Sequence, residues 1–153
     1  WSTPSAKNGG GNLVPFITQS AIGKRKNLKV FGKDYNTSDG TPVRDYIHVV
    51  DLANAHVQAL NRLIEKKSKK FYEFFNVGTG KGHSVLEVIK SFEKVNNIKL
   101  PYEIVGRREG DIEKIYSDTI LSRNELNWKA ERNLDEMMKS AWKWQKRLKD
   151  LGS

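Results

Sequence analysis

Two arginines far apart in the chain, Arg44 and Arg108, together with the carboxylate of Asp111, are the side chains best suited to hold a ligand. A guanidinium fork donates two parallel hydrogen bonds to phosphate oxygens, so a pair of arginines can bracket a diphosphate. Each such contact at about 4 Å is worth roughly 4 kcal/mol before desolvation at a near-surface dielectric. Asp111, close after Arg108, could accept from ribose hydroxyls. Read locally, the same residues make ordinary ion pairs: Arg44 with Asp45 or Asp51, and Arg108 with Glu109. Spacing alone favours that local reading.

Other chemistry is excluded more firmly. There are no cysteines, which removes disulfides and thiolate metal sites, and His48, His56 and His83 show no metal-ligand spacing. A tyrosine activated by a lysine four residues later can act as acid or base near neutral pH. The residues four after Tyr35, Tyr46, Tyr72, Tyr102 and Tyr116 are Asp39, Val50, Asn76, Gly106 and Ile120, so no tyrosine qualifies. No serine lies in G-x-S-x-G. The glycine-rich VGTGKGHS (77–84) matches neither the Walker spacing nor G-x-G-x-x-G. It reads as a strand-to-helix turn that brings backbone close to something, a ligand included.

The 153 residues fit one domain or a piece of a larger protein. The chain begins at Trp1 without a methionine and is expected to be such a piece. At 37% hydrophobic and 29% charged it has the composition of a globular domain, with no apolar run long enough for a membrane span and no visible secretory leader. A formal net charge of +9 attracts nucleic acid, acidic membranes or phosphorylated small molecules. Much of the excess sits at Lys66, Lys67, Lys69 and Lys70 and along the last helix, where it reads as solvated surface near helix C-termini.

These residues need positioning elements. Residues 1–11 are rich in Gly, Ser and Asn and read as a flexible lead-in or a cut edge. Asn12 is expected to cap a helix running to Gly23. A strand is expected over 28–31 and another over 44–50, with Asp51 capping a helix that buries Ala53, Val57, Leu60 and Ile64. Residues 71–77 read as a strand. Ser84 and Glu87 form a capping box for a helix with Val85, Val88, Ile89, Phe92 and Val95 inward. A short strand covers 102–105. The last helix starts at Asn133 and packs Leu134, Met137, Ala141, Trp144 and Leu148, and residues 151–153 form a tail. The whole is mixed α/β.

The sequence words NLVPFITQSAIGKRKNLKVFG, DGTPVRDYIHVVDLANAH, FNVGTGKGHSVLEV and RREGDIEKIYSD, followed by ELNW and WKWQ, resemble the UDP-glucose 4-epimerases over about nine tenths of the chain. That resemblance implies the small mixed α/β substrate-binding domain of an extended short-chain dehydrogenase, spanning 12–150, without its Rossmann half. In the family, the Rossmann half binds NAD and carries a Tyr-x-x-x-Lys pair. Carried over by motif, Asn12 and Leu13 would lie along the sugar-nucleotide cleft, and the backbone of Lys29 to Phe31 would meet the uracil beside the Phe31 ring. Arg44 and Arg108 would hold the diphosphate, Asp111 the ribose, and Val85 would line the uridine pocket. Gly11 and Pro42 depart from the family's usual asparagine and glycine, and Ile115 and Tyr116 fall where an aromatic can contact the hexose.

The expected partners are a UDP-sugar, the chain's own amino-terminal Rossmann domain and a second copy in a homodimer, with neither nucleic acid nor membrane. The expected setting is the cytoplasm, and this stretch alone is expected to be inactive. Two rivals stand beside this reading. One is a basic nucleic-acid-binding module, resting on the +9 charge and scattered aromatics. The other is a different sugar-nucleotide enzyme of the same superfamily, a decarboxylase or dehydratase.

Overall fold

Two small sheets and five helices make up the computed structural model, which describes residues 12–151. The expected lead-in at 1–11 and most of the tail at 151–153 lie outside the described residues. In chain order the elements are α1 (Leu13–Ala21), β1 (Leu28–Phe31), β2 (Val43–Asp45), α2 (Val49–Ile64), β3 (Gly82–Ser84), α3 (Val85–Asn96), β4 (Tyr102–Val105), β5 (Lys114–Ile115), α4 (Ile120–Leu126) and α5 (Leu134–Asp150). Strands β1 and β4 pair in parallel, with Leu28 opposite Tyr102 and Phe31 opposite Val105. Strand β2 lies at the centre of the second sheet, antiparallel to β3 and parallel to β5. Among the described residues, no helix is long and apolar enough to cross a membrane.

The larger core forms where α1, α3 and α5 meet the buried side of β1. Ile17, Val30, Val88, Phe92 and Met138 are fully buried there. Burying a side chain such as Phe92 contributes about 1.5–3 kcal/mol, and Trp142 adds an edge-on contact at 5.8 Å. Helices α3 and α5 start on the same device. Ser84 and Asn133 accept from the amides of Glu87 and Glu136, whose carboxylates return the bond to the cap amides. Both boxes are legible in the sequence as an i, i+3 pair. On α5, however, Trp144 is 57% exposed and Trp142, with Met138 and Gln145, faces inward.

Several expectations need correction. Helix α1 ends at Ala21, with Gly23 at φ +81 beyond it, and Asn12 precedes it without a side-chain capping bond. Strand β2 stops at Asp45 rather than running to Val50, because the Asp45 side chain is taken up by two distant turns. Helix α2 therefore begins at Val49, capped by His48, whose Nδ1 accepts from the Val50 amide. Asp51 is not the cap. It is a buried carboxylate in the first turn that accepts from the amides of Glu131 and Arg132 and pairs with the Arg132 guanidinium.

The apolar stripe of α2 faces outward. Val57 is 53%, Leu60 56% and Ile64 68% exposed, while the opposite face buries Asp51, Ala55 and Arg62. Periodicity marks an apolar face but not what covers it. Residues 71–77 form no strand. From Tyr72 to Val77 the side chains alternate outward and inward as a strand's do, but no ladder partner is present among the described residues. The inward set is tied down by Glu73, which takes Arg62 Nε at 2.9 Å and Nη2 at 3.1 Å, and by Phe75 and Val77 packed near Trp128.

Arg62 draws the Glu73 carboxyl down to about 2, helped by the Lys69 amide. The ordinary value is 4.5. This carboxylate therefore supports the fold fully above that value, and the support is lost as pH falls toward 2. Urea denaturation across that window should show a midpoint that drops with acid. Glu73→Gln should start lower and show a shallower dependence; an unchanged slope would contradict the assignment.

Candidate functional site

The end of β1, the middle of β2 and the 107–111 loop meet at one place. Arg44 projects from β2 with its side chain 29% exposed. Its Nη1 donates to its neighbour's carbonyl, Val43 O, at 2.8 Å, and its Nη2 lies 3.8 Å from Asp111 Oδ1. Arg108 donates to the same carboxylate, Nε to Oδ2 at 3.0 Å and Nη2 to Oδ1 at 3.1 Å. The Arg108 guanidinium also lies 4.5 Å above the Phe31 ring, a cation–π contact at the C-terminal end of β1. The structure thus gathers Phe31, Arg44, Arg108 and Asp111.

The local pairings do not form. Arg108 turns to Asp111 across the Gly110 turn rather than to Glu109, Asp45 and Asp51 are engaged elsewhere, and Arg44 faces Asp111. The remaining candidates take no part in the contacts of this cluster. Asn12 is exposed before α1, and Leu13 packs on the larger core. Lys29 points outward from β1, 3.9 Å from Glu103. Val85 opens α3, half-buried, with its amide donating to Pro42 O at 3.2 Å.

Sequence reasoning missed the structure that fixes Arg44 in place. The carboxylate of Asp45 accepts from the amides of Thr79, Gly80 and Ser117, at 3.0, 3.1 and 3.1 Å, and from the Thr79 hydroxyl. Burial pulls its pKa upward, but these donors outweigh burial and hold it below the usual carboxylate range. What the glycine-rich turn approaches is β2 itself. A β-carbon on Gly78 would overlap Asp45 and Ser117, and one on Gly82 would overlap Val43. Because the Thr79 and Gly80 amides already hold this internal anion, they are not free to cradle a dinucleotide pyrophosphate. Only Asp45's position next to Arg44 hinted at this; its partners lie 34 to 72 residues away.

A second arginine pairs with an aromatic beside the first. Arg107 lies 4.0 Å from the Tyr35 ring and donates through Nε to Asp34 at 2.7 Å. Its guanidinium lowers the Asp34 pKa. Tyr46, next in sequence to Asp45, has its phenol pushed up to about 12 by burial, against the opposing charge of Arg44. It is protonated at neutral pH and is no base. Among the described residues, no cluster of three or more His, Cys, Asp or Glu is arranged to hold a metal. The arrangement suits binding of an extended anion carrying a flat ring: cations on β2 and the loop, and an aromatic ring and the end of β1 beside them.

Comparison with known proteins gives the family. A family model described as GDP-mannose 4,6 dehydratase matches residues 7–141. The UDP-glucose 4-epimerase of Pasteurella multocida (strain Pm70) is 56% identical over 136 residues, covering 89% of this chain and 39% of the relative. Among solved structures, the UDP-glucose-4-epimerase from Stenotrophomonas maltophila with bound NAD and formylated UDP-arabinopyranose superposes with a TM-score of 0.88 at 43% identity. That match covers 99% of this chain and 43% of the other. The enzyme from Bifidobacterium longum in complex with NAD+ and UDP gives a TM-score of 0.82 at 46% identity, over 89% of this chain and 39% of the other. The chain thus spans about two fifths of the length of the relatives it matches.

Proposed function

This chain belongs to the GDP-mannose 4,6 dehydratase family, and on that premise we propose that it is the UDP-sugar-binding part of a UDP-glucose 4-epimerase. The observation that carries the reading is the convergence of Arg44 and Arg108 on one carboxylate oxygen beside the Phe31 ring. Arg44 and Arg108 hold the diphosphate, the β1 backbone from Lys29 to Phe31 meets the uracil, and Asp111 accepts from the ribose. Asn12, Leu13 and Val85 complete the walls. A firm grip on UDP leaves the hexose free to turn between its two faces.

NAD, which accepts and returns hydride at the sugar C4, belongs in this reading to an amino-terminal Rossmann domain carrying the Tyr-x-x-x-Lys pair. The whole protein is then a cytoplasmic NAD-dependent isomerase, and this chain alone is inactive. The outward apolar face of α2 and the unpaired 72–77 segment support such a partner domain, since both are shaped for packing. Without that cover the chain should self-associate. Val57→Glu with Leu60→Glu should shift its sedimentation to monomer, and a distribution unaffected by the pair would argue against this docking face. Homodimerisation of the whole protein is part of the same reading.

Equilibrium titration with UDP, uridine and a short single-stranded RNA tests the proposal. UDP should bind more than about a hundredfold more tightly than uridine, since two charge-assisted contacts are lost with the diphosphate. RNA should fail to displace UDP. Equal binding of uridine and UDP would sink the diphosphate site, and displacement of UDP by RNA with a steep salt dependence would favour a nucleic-acid module. Turnover of UDP-glucose rather than UDP-glucuronate by the whole protein separates the epimerase from its superfamily relatives.

A further inference from the structure

We propose that Asp111 is the resident counter-ion of Arg44 and Arg108, holding the two together until a diphosphate displaces it; the inference rests on the diphosphate reading above. Asp111 Oδ1 lies 3.1 Å from Arg108 Nη2 and 3.8 Å from Arg44 Nη2, so one oxygen stands between two cations. Its other oxygen takes Arg108 Nε at 3.0 Å, completing the bidentate arrangement by which arginine also binds phosphate. The carboxylate therefore occupies the place a phosphate would take. Two guanidinium groups brought together without an anion between them would repel.

Exchange is physically easy. The Arg108 side chain is 42% exposed and that of Asp111 15%, on a turn with Gly110 at φ +79 and the Asp111 amide bonded to Arg108 O at 3.3 Å. Side-chain rotation is enough to separate the partners. A diphosphate carries about two to three negative charges against one on the carboxylate, so it wins the arginines. Displacement frees the lone pairs that Asp111 gives to the arginines, so it accepts from a ribose more fully beside a diphosphate than in a nucleoside without phosphates.

Pyrophosphate, which carries no ribose, reads the exchange alone. Titrated into the full chain and into Asp111→Asn, it should bind the variant about tenfold more tightly, because the amide keeps the shape but cannot compete for the arginines. Unchanged or weaker pyrophosphate binding by a folded variant would overturn the proposal and make Asp111 a positioning residue instead. Should the variant lose its near-ultraviolet circular dichroism, the unmodified chain decides in complex with UDP. An Arg108 Nε to Asp111 Oδ2 separation beyond about 3.5 Å supports displacement, and a retained bond refutes it. An unmodified chain that binds neither pyrophosphate nor UDP refutes the diphosphate reading itself, a result distinct from tight binding indifferent to Asp111.

Discussion

Replacing Arg44 with alanine should weaken UDP binding by about a hundredfold while changing uridine affinity by less than about threefold. The magnitude follows from losing one charge-assisted pair of hydrogen bonds, roughly 1.5–3 kcal/mol. The selectivity follows from position, because Arg44 faces Asp111 and Arg108 and takes no part in the contact with Phe31. Arg44→Lys should recover only part of the loss, since an ammonium keeps the charge but not the planar fork. The change should cost little stability. Among the described residues, the Arg44 side chain makes a local bond to Val43 O and a long contact at 3.8 Å to Asp111. Isothermal titration with both ligands checks the split, and a parallel loss of uridine binding would mean that Arg44 serves the fold rather than the ligand.

Asp45→Ala should have the opposite signature, a large loss of stability. The carboxylate satisfies three backbone amides, those of Thr79, Gly80 and Ser117, in a half-buried place where water replaces it poorly. Removing it should cost about 2–4 kcal/mol, or about 10 °C in Tm for a chain of this length. UDP and uridine should then weaken together, because the turn and the strand that carries Arg44 both loosen. Asp45→Asn should recover part of the stability through its remaining oxygen, although its amide group opposes the donors. Since the folded carboxyl is held below its ordinary value, its contribution is present above that value and fades as pH falls through the acid range. Scanning calorimetry showing Asp45→Ala within about 1 °C of the unmodified chain would contradict this role.

Features set by neighbours in sequence are legible from the sequence alone. The two capping boxes, the four-residue strands β1 and β4, and the apolar face of α3 each depend on spacing within one turn or one strand. Features set by distant partners are not. Apolar residues at 44–50 read as a long strand, but Asp45 is drawn away by partners at Thr79 and Ser117, and the chain leaves the ladder there. The alternation at 71–77 is real, yet a strand requires a second strand, and none stands beside it among the described residues. On α2 the amphipathic pattern gave the right helix and the wrong inward face, because Arg62 is buried against Glu73 and Glu125. A charge reads as surface until its partners are known. The short β5 and α4 gave too little pattern to detect.

The site divides along the same line. Spacing alone favoured Arg108 with Glu109, whereas the Gly110 turn carries Asp111 under the guanidinium three residues on. The resemblance implies that Arg44 and Arg108, 64 positions apart, serve one diphosphate, but neither it nor any local rule implies that Arg44 reaches the Asp111 carboxylate. Asp45, the side chain that ties β2 to the glycine turn, was noticed only as a neighbour of Arg44.

A crystal structure of the chain with UDP tests the central claim most directly. The diphosphate oxygens should lie within about 3.2 Å of guanidinium nitrogens of both Arg44 and Arg108, with the uracil against the end of β1 beside Phe31. UDP seated elsewhere, or touched by one of the two arginines while the other points to separate solvent, would contradict it.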